Sequence, residues 1–271
     1  MPPAHYALVT GASSGIGAEF ARALAERGHH LVLTARRTDR IEALARELAE
    51  KHGIDARAIP GDLSDPATPA ALQAAIEADG LVIDTLINNA GYGVTGSLVS
   101  RDWKTHADFI QVMMTAPTEL CHRFVPGMRA RGYGRIVNVA SFAGIMPAPA
   151  GHTLYAASKA FLIKFTQSLA LENRRYGINI CALCPGFTLS EFHDANGARD
   201  TVSKMPDWVW LHADKVVREG LDAVERGDVV YVNGMHYRVI KALFKLLPDR
   251  WALNLIARYS NSFRVVDAGG S

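Results

Sequence analysis

The sequence predicts an α/β fold, in which helices cover both faces of a mostly parallel β-sheet. Short runs of β-forming residues alternate along the 271-residue chain with stretches that have the apolar spacing of helices. Strands and helices that alternate in this way indicate βαβ units. Apolar residues make up 49% of the chain, which is enough for a buried core. No Gly/Ser linker, repeat or low-complexity tract divides the sequence, so we expect one domain over residues 1–271.

The strands are expected where apolar and β-branched residues form short continuous runs. Such runs are typical of strands that a parallel sheet buries on both faces. Each run lies next to a stretch of helical spacing, as βαβ units require. The predicted strands are residues 6–10, 31–35, 55–59, 82–87, 135–140, 178–183 and 229–232.

Three helices can be placed from the spacing of their apolar residues. In the first two, apolar side chains recur three or four positions apart and share one helix face. The first helix should end near Gly28, and Asp39 is a candidate N-cap for the second. The third is a long helix over 153–176, before Gly177. The apolar positions of the first two helices are Ile16, Phe20 and Leu24, and then Ile41, Leu44 and Leu48.

The charge balance and the N-terminal residues limit the classes of function. Lys and Arg number 29 against 27 Asp and Glu, so the net charge of +2 gives no strong field to attract nucleic acid. We therefore expect a small-molecule partner and no nucleic acid. No basic, apolar leader with a cleavage site is visible, and no apolar run reaches the roughly 18 residues of a membrane span. The cytoplasm is the expected location.

Two of the three cysteines are expected to be core thiols. Cys181 and Cys184 match a CxxC pattern, but no second pair exists, and Cys121 lies far away in the sequence. Because Cys181 and Cys184 lie in a predicted strand, three residues apart, their side chains should face opposite sides of the sheet. We therefore expect neither a metal site nor a redox pair.

A glycine-rich turn joins the first strand to the first helix, with the sequence TGASSGIG over residues 10–17. Glycines at this point allow a sharp turn and a close approach of the backbone to a pyrophosphate, whose charge faces the positive end of the helix dipole. The gap between Gly11 and Gly15 is wider than in the GxGxxG pattern. A glycine-rich turn without a ligand is the alternative at this stage.

Residues after the second and third strands bear on the choice of dinucleotide. Arg36 and Arg37 follow the second strand, and no carboxylate is available there before Asp39 to bind a ribose 2′-hydroxyl. A guanidinium pairs well with phosphate, so we expect NADP(H) rather than NAD(H). The alternative is that both arginines simply begin a solvated helix. Asp62 could lie near an adenine amino group or cap the helix that Ser64, Asp65 and Pro66 would open.

Tyr155, Lys159 and Ser141 form the candidate catalytic group. Four positions on one helix place Tyr155 and Lys159 on the same face, about 6 Å apart along the axis. A nearby ammonium favours the phenolate, so we expect the pKa of Tyr155 to be lowered and the phenol to act as a general acid or base. Ser141, at the end of a predicted strand, could then hydrogen-bond a substrate oxygen. The alternative is an ordinary Tyr/Lys pair on a helix surface.

These motifs together resemble those of the short-chain dehydrogenase/reductase family over almost the whole chain. Besides TGASSGIG, the matches are GDLSD at 61–65, NNAG at 88–91, SFAG from Ser141, YAASK at 155–159 and PG at 185–186. The resemblance implies a single doubly wound Rossmann-type domain with a seven-stranded, mostly parallel sheet. Tyr155 would be the proton donor and Ser141 the carbonyl polariser, and Lys159 would also bind the nicotinamide ribose. The cofactor-binding residues would be Gly11, Ser13, Ser14, Gly15, Ile16, Gly17, Arg36, Arg37, Asp62, Leu63, Asn89, Ala90, Gly91, Tyr155, Lys159, Pro185, Gly186 and Thr188.

The family resemblance also implies a substrate lid and an oligomer. The lid would span about 187–212, and its aromatic residues suggest an apolar cleft for a lipophilic ketone or aldehyde. The alternative is that its tryptophans anchor the lid in the core. Members associate through the two long helices that correspond to 102–131 and 153–176, so a homodimer or homotetramer is expected. The candidate substrate residues are Phe142, Met146, Phe187, Phe192 and Trp208.

Met113 departs from the family pattern. The family carries an asparagine here, in the helix before the catalytic strand, which holds a water in the proton relay to the lysine. Methionine has no amide for this, and Gln111 and Thr115 are the nearest polar residues. A dinucleotide-binding regulator or sensor with little turnover is therefore an alternative to an active NADPH-dependent carbonyl reductase or alcohol dehydrogenase.

The C-terminal segment, about 236–260, is basic and amphipathic and is interrupted by Pro248. It could cover the substrate cleft, pack on a partner subunit or lie on a membrane surface. A peripheral membrane enzyme of lipid metabolism is thus a third hypothesis.

Overall fold

The fold is built on a seven-stranded parallel sheet in the order β3-β2-β1-β4-β5-β6-β9. The computed structural model describes residues 5–151, 153–189 and 206–260, with side chains to 257. This is the predicted doubly wound Rossmann-type α/β fold, in which the order of the strands reverses between β1 and β4. The sheet strands are β1 His5–Thr10, β2 His30–Thr34, β3 Ala56–Ala58, β4 Val82–Asn88, β5 Gly134–Val139, β6 Ile178–Cys184 and β9 Val230–Val232.

Nine α-helices are present in the described part of the chain, and one pair is joined by a π-turn, Gln111–Thr115. Short 3-10 turns include Phe142–Gly144, Arg174–Tyr176 and Asp207–Val209. The helices are α1 Gly15–Glu26, α2 Thr38–His52, α3 Thr68–Ala78, α4 Trp103–Ile110, α5 Ala116–Arg131, α6 Thr153–Asn173, α7 Ala213–Arg226, α8 Met235–Leu246 and α9 Asp249–Ser260.

Each face of the sheet carries its own buried apolar layer. On one face, α1, α2 and α7 pack with Val9, Leu33 and Val137. On the other, α3, α5 and α6 pack with Leu8 and Ile136. Burial on both faces explains why the strands are continuous apolar runs rather than alternating ones.

The predicted ends of two helices were wrong. Helix α2 begins at Thr38, so Arg37 occupies the N-cap position and Asp39 lies in the first turn, where a carboxylate favours the helix dipole. Helix α3 begins at Thr68 instead of at residues 64–66, because Asp62 and Asp65 first form hydrogen-bonded turns with the backbone N–H groups of residues 64 and 67. Side-chain turns therefore explain the later start of α3, whereas α2 begins without a side-chain capping bond from Arg37.

A two-stranded ribbon was not predicted. It pairs β7 Thr188–Leu189 with β8 Leu211–His212 in parallel. Strands of two residues carry no alternation that a sequence pattern could reveal. The ribbon joins the two described ends of the candidate lid.

All three cysteines are free and buried, as predicted for Cys181 and Cys184. Cys181 packs in the layer with α1, whereas Cys184 packs on the opposite face, with Tyr237. Burial raises the pKa of each thiol to about 12. Within the described residues, no three His, Cys, Asp or Glu side chains could hold a metal ion. None of the helices that the structure describes is long and apolar enough to cross a membrane.

Candidate active site

The candidate site lies along the carboxyl ends of the strands, where a doubly wound sheet binds its ligands. The glycine-rich turn follows β1, the NNAG segment follows β4, Ser141 follows β5 and Pro185-Gly186 follows β6. These four strands are adjacent in the sheet. The fold therefore brings together motifs that are up to about 170 residues apart in the sequence.

The glycine-rich turn leaves space that only a residue without a side chain can leave. Gly11 and Gly15 have φ angles of +67° and +55°, which side chains rarely permit. A Cβ on Gly17 would lie 2.3 Å from the Gly11 carbonyl oxygen. Ser14, at the N-cap of α1, makes no side-chain capping hydrogen bond. The first N–H groups of α1 thus remain available to an anion, and this cradle fits the pyrophosphate of a dinucleotide.

Thr10 and Asn89 hold the glycine-rich turn against the NNAG segment. The Thr10 hydroxyl accepts hydrogen bonds from the backbone N–H groups of Asn89 and Ala90, each at 3.0 Å. The Asn89 amide donates to the Thr10 carbonyl oxygen at 3.0 Å. Asn89 was predicted to bind the cofactor, whereas Thr10 was quoted only as the first residue of the TGASSGIG motif. Both side chains cross-link the two loops, and the threonine that ends β1 was the sequence signal for this contact.

Arg37 reaches back to the glycine-rich turn, whereas Arg36 faces the third strand's loop. The Arg37 guanidinium donates to Ser13 Oγ at 3.1 Å and to Ser14 Oγ at 2.7 Å. The pKa of the Asp62 carboxyl is lowered, although desolvation opposes this. Hydrogen bonds from the Ser64 backbone and side chain lower it most, and the charge of Arg36 lowers it further. Both arginines are exposed. Arg37, Ser13 and Ser14, called here the Arg37 group, place one cation and two hydroxyls at the exposed edge of the glycine-rich turn.

The remaining candidate cofactor residues line the same edge. Ile16 is half-buried in the first turn of α1, and Leu63 and Pro185 are buried. Gly91 lies under Met113, and the Thr188 hydroxyl donates to the Gly186 carbonyl oxygen at 3.1 Å. The structure therefore brings the predicted set to one edge of the sheet.

Ser141, Tyr155 and Lys159 lie together above β5. Ser141 is at the start of the 3-10 turn after β5, and its Oγ accepts from the Ala143 N–H at 3.1 Å. The side chains of Tyr155 and Ser141 share a hydrogen bond. The Lys159 ammonium lies 5.8 Å from the centre of the Tyr155 ring and donates to the Val139 carbonyl oxygen at 2.7 Å. The hydroxyls of Ser141 and Tyr155 thus lie together, and the buried amine of Lys159 lies next to the Tyr155 ring.

The predicted direction of the Tyr155 pKa was wrong. Desolvation raises the pKa of Tyr155 to about 12, although the Ser141 hydrogen bond opposes this. Desolvation also lowers the pKa of Lys159 to about 8. The prediction of a lowered pKa rested only on the attraction between a phenolate and an ammonium, whereas burial penalises both charged forms. In this arrangement the phenol is neutral near pH 7 and can donate a proton.

A buried polar chain connects the strands to the helix that carries Tyr155. Asn88 Nδ2 donates to Asn138 Oδ1, and Asn138 Nδ2 donates to Thr166 Oγ1, both at 2.9 Å. These residues belong to β4, β5 and α6. Gly144 adds a close contact, since a Cβ there would lie 2.6 Å from the Lys159 carbonyl carbon. The position of α6 is therefore fixed from two directions, by contacts that were not predicted from the sequence.

Asn138→Ala is expected to lower the free energy of unfolding by about 1–3 kcal/mol, because it leaves buried partners of β4 and α6 unsatisfied. Urea unfolding followed by circular dichroism measures this change. Asn179→Ala is the matched control, since the Asn179 amide donates in an exposed region to the Glu225 carbonyl oxygen. Equal small losses in both variants would contradict a structural role for the Asn138 chain.

Met113 lies inside the π-turn between α4 and α5 and is buried, with 1% of its surface exposed. Its sulfur would be 2.9 Å from a Cβ on Gly91, so it packs against the NNAG segment. A cavity of about 10 Å³ is bounded by Met113, Asn88 and Val139, close to the minimum for one water. Gln111 Nε2 is buried without a partner among the described residues, but the cavity lining does not include it. Methionine at 113 therefore supplies packing where an amide was expected.

The described candidate substrate residues form an aromatic border beside Ser141. Phe142 packs edge-on against Tyr237, with ring centres 4.8 Å apart, and Phe187 lies 6.0 Å from Trp210. Met146 is half-buried. Trp208 is 63% exposed, so it does not anchor the lid in the core. Phe192, with most of the predicted lid, lies in 190–205, outside the described residues.

Comparisons with known proteins agree with this geometry. The family model for short chain dehydrogenase matches residues 5–200. Oxidoreductase UcpA of Escherichia coli (strain K12) is 35% identical over 226 residues, which cover 82% of this chain and 84% of UcpA.

Two solved structures of high coverage also share the fold. A short-chain dehydrogenase from Sphingobium yanoikuyae in complex with NADPH is 33% identical, with a TM-score of 0.78, and the match covers 99% of this chain and 98% of that one. A bulky-bulky ketone specific alcohol dehydrogenase from Comamonas testosteroni is 30% identical, with a TM-score of 0.74 and coverage of 99% and 97%. The chain therefore belongs to the short-chain dehydrogenase/reductase family and is an oxidoreductase that acts on alcohol or carbonyl groups.

Proposed function

We propose that this protein is an NADPH-dependent reductase of lipophilic ketones or aldehydes, in which Tyr155 donates the proton. The observation that carries the proposal is the grouping of a neutral phenol, a hydroxyl and a buried amine at the mouth of a dinucleotide cradle. The same residues would run the reverse oxidation of an alcohol. The predicted domain over 1–271, and the cytoplasm as its location, are part of this proposal.

The preference for NADP(H) is supported by the Arg37 group. A 2′-phosphate at the edge of the glycine-rich turn would meet the Arg37 guanidinium together with the hydroxyls of Ser13 and Ser14. Charge-assisted hydrogen bonds of this type are about twice as strong as neutral ones. No carboxylate lies between β2 and Arg37 to favour a free 2′-hydroxyl. The NADPH bound to the Sphingobium yanoikuyae relative supports the same choice.

The proposed chemistry divides the work between three side chains. A bound nicotinamide would supply the hydride. Ser141 Oγ hydrogen-bonds the substrate oxygen and stabilises the charge that develops on it. Tyr155, neutral with a pKa of about 12, transfers its proton to that oxygen. Lys159 faces the Tyr155 ring and stabilises the phenolate that results.

The substrate class is inferred from the border of the site. Phe142, Phe187 and Trp208 offer aromatic surface, and Met146 adds a flexible apolar side chain. Such a border favours a large apolar group beside the carbonyl. The Comamonas testosteroni relative, which is specific for bulky-bulky ketones, supports this class.

The proposal is tested by following NADPH consumption over a panel of ketones and aldehydes that differ in size and polarity. Turnover that rises with the apolar size of the substrate is expected. Tight NADPH binding without turnover on any carbonyl would instead favour the regulator or sensor that Met113 suggested. Turnover restricted to small polar carbonyls would contradict the apolar cleft.

We also propose a homodimer or homotetramer built through α4, α5 and α6. The exposed apolar residues Trp103 and Leu171 lie on these helices, with 73% and 74% of their surfaces exposed. Light scattering after size-exclusion chromatography measures the assembly, and a monomer at micromolar concentration would contradict it.

The outer face of α8 and α9 supports an additional function, contact with an anionic lipid surface. Met235, Val239, Leu243 and Leu246 are all at least half exposed and form one stripe of α8. Helix α8 also carries three basic residues and no acidic one. An apolar stripe beside basic residues is the pattern of interfacial helices. This surface would bring a lipophilic substrate close to the site.

The double variant Val239→Ser/Leu243→Ser is expected to lower the partition coefficient onto vesicles by roughly tenfold or more, because two apolar side chains are lost. Sedimentation with phosphatidylcholine vesicles, with and without phosphatidylserine, measures it. Val99→Ser, in the exposed turn before α4, is the control, because it removes an apolar side chain outside both proposed contact surfaces. If the double variant bound vesicles like the parent, the lipid surface would be contradicted. If it instead changed the oligomeric mass, this face would be assigned to a second copy of the chain.

A further inference from the structure

Tyr237 of α8 lies against the loop that ends β6, about 50 residues away in sequence. Only 5% of its surface is exposed. A Cβ on Gly186 would lie 2.0 Å from the Tyr237 Cζ atom, so the ring is in direct contact with the backbone of Gly186. The ring also packs beside Phe142 and His236, at 4.8 and 4.3 Å between ring centres. Helix α8 therefore packs on the edge of the candidate site.

The Tyr237 hydroxyl bonds to both sides of the unpredicted ribbon. It accepts a hydrogen bond from the Phe187 N–H at 2.9 Å and donates one to the Val209 carbonyl oxygen, also at 2.9 Å. Leu211 N–H completes the connection by donating to the Phe187 carbonyl oxygen at 2.8 Å. One phenol thus connects the two described ends of the candidate lid.

These bonds fix residues that the proposed function needs. Phe187 borders the substrate and Thr188 follows it, with its hydroxyl bonded to Gly186. The Phe142 N–H donates to the Pro185 carbonyl oxygen at 2.9 Å, which links this loop to the turn that starts at Ser141. A shift of the Gly186–Phe187 segment would therefore reach the catalytic turn through one hydrogen bond.

We propose that Tyr237 is a positioning residue, which holds Phe187 and the Pro185-Gly186 loop in place for a lipophilic carbonyl substrate. This inference rests on the proposed function for its kinetic effect. The candidate cofactor residue Gly186 is in contact with the ring of Tyr237. The hydroxyl bonds to Phe187 and Val209, which are not among the candidate cofactor residues. Tyr237 should therefore affect the binding of the carbonyl more than the binding of NADPH.

The test is Tyr237→Phe, which keeps the ring and removes only the two hydroxyl bonds. We expect KM for a bulky ketone to rise about tenfold, since two partly buried backbone groups lose their partner. The changes in kcat and in the Kd of NADPH should stay within about threefold, because the variant keeps the ring against Gly186 and alters neither the proton donor nor the phosphate cradle. Tyr176→Phe, on the turn after α6 at the opposite edge of the sheet, is the matched control and should change none of these values.

Hydrogen–deuterium exchange provides a readout that does not depend on turnover. Peptides that cover residues 185–189 and 206–212 should exchange faster in Tyr237→Phe, while those of the sheet core stay unchanged. If the parent protein reduces no carbonyl, the proposed function fails, but this selective exchange still supports Tyr237. Unchanged exchange with an unchanged KM, or faster exchange throughout the protein, would overturn the positioning role.

Discussion

Tyr155→Phe is expected to lower kcat for ketone reduction by about 10²- to 10⁴-fold, the usual contribution of a positioned general acid. The variant keeps the ring that packs beside Lys159 but removes the hydroxyl that bonds to Ser141. NADPH binding should change by less than about threefold, since the variant leaves Arg37, the glycine-rich turn and Lys159 unaltered. Steady-state kinetics and the quenching of protein fluorescence by NADPH measure the two effects.

Tyr133→Phe is the control for this experiment, because Tyr133 is partly exposed before β5 and stacks on Arg135. It should retain the parent's kcat. If Tyr155→Phe retained more than a tenth of the parent's kcat, the phenol would not be the proton donor. If it instead lost NADPH binding, Tyr155 would serve the cofactor and not the proton transfer.

Arg37→Gln is expected to weaken NADPH binding by about 10- to 100-fold, because the guanidinium would make charge-assisted bonds to the 2′-phosphate. Binding of NADH, which lacks that phosphate, should change by less than about threefold. The affinity of the parent protein for NADPH should also fall as salt is added, since a partly exposed ion pair is screened. Titration calorimetry with both dinucleotides measures the changes.

Arg46→Gln removes the same charge from an exposed position of α2 and is the matched control. It separates a local contact from the general loss of one positive charge. If Arg37→Gln weakened NADPH and NADH equally, Arg37 would support only the glycine-rich turn through Ser13 and Ser14. In that case the preference for NADP(H) would lose its main support.

The fold could be predicted well from the sequence because its signals are local and repeated. Buried parallel strands produce apolar runs, and all seven expected runs correspond to strands of the observed sheet. Helix starts were less accurate, since the Asp62 and Asp65 turns delay α3 without changing its periodicity. The β7–β8 ribbon was missed because two residues cannot display a pattern.

The contacts that shape the site were mostly beyond sequence reasoning. The chain from Asn88 through Asn138 to Thr166 joins three elements, and nothing in the spacing of these residues marks them as neighbours. Tyr237 was predicted only as part of an amphipathic helix, whereas its hydroxyl bonds to Phe187 and Val209, at the two described ends of the candidate lid. The pKa of Tyr155 depends on desolvation, which requires knowledge of what packs around it.

A crystal structure of the protein with NADPH and a bulky ketone would decide whether the site binds and reacts as proposed. We expect the 2′-phosphate beside Arg37, the pyrophosphate at the start of α1, and the ketone oxygen within hydrogen-bonding distance of both Tyr155 and Ser141. A dinucleotide bound away from the glycine-rich turn, or a ketone oxygen remote from the Tyr155 hydroxyl, would contradict this proposal.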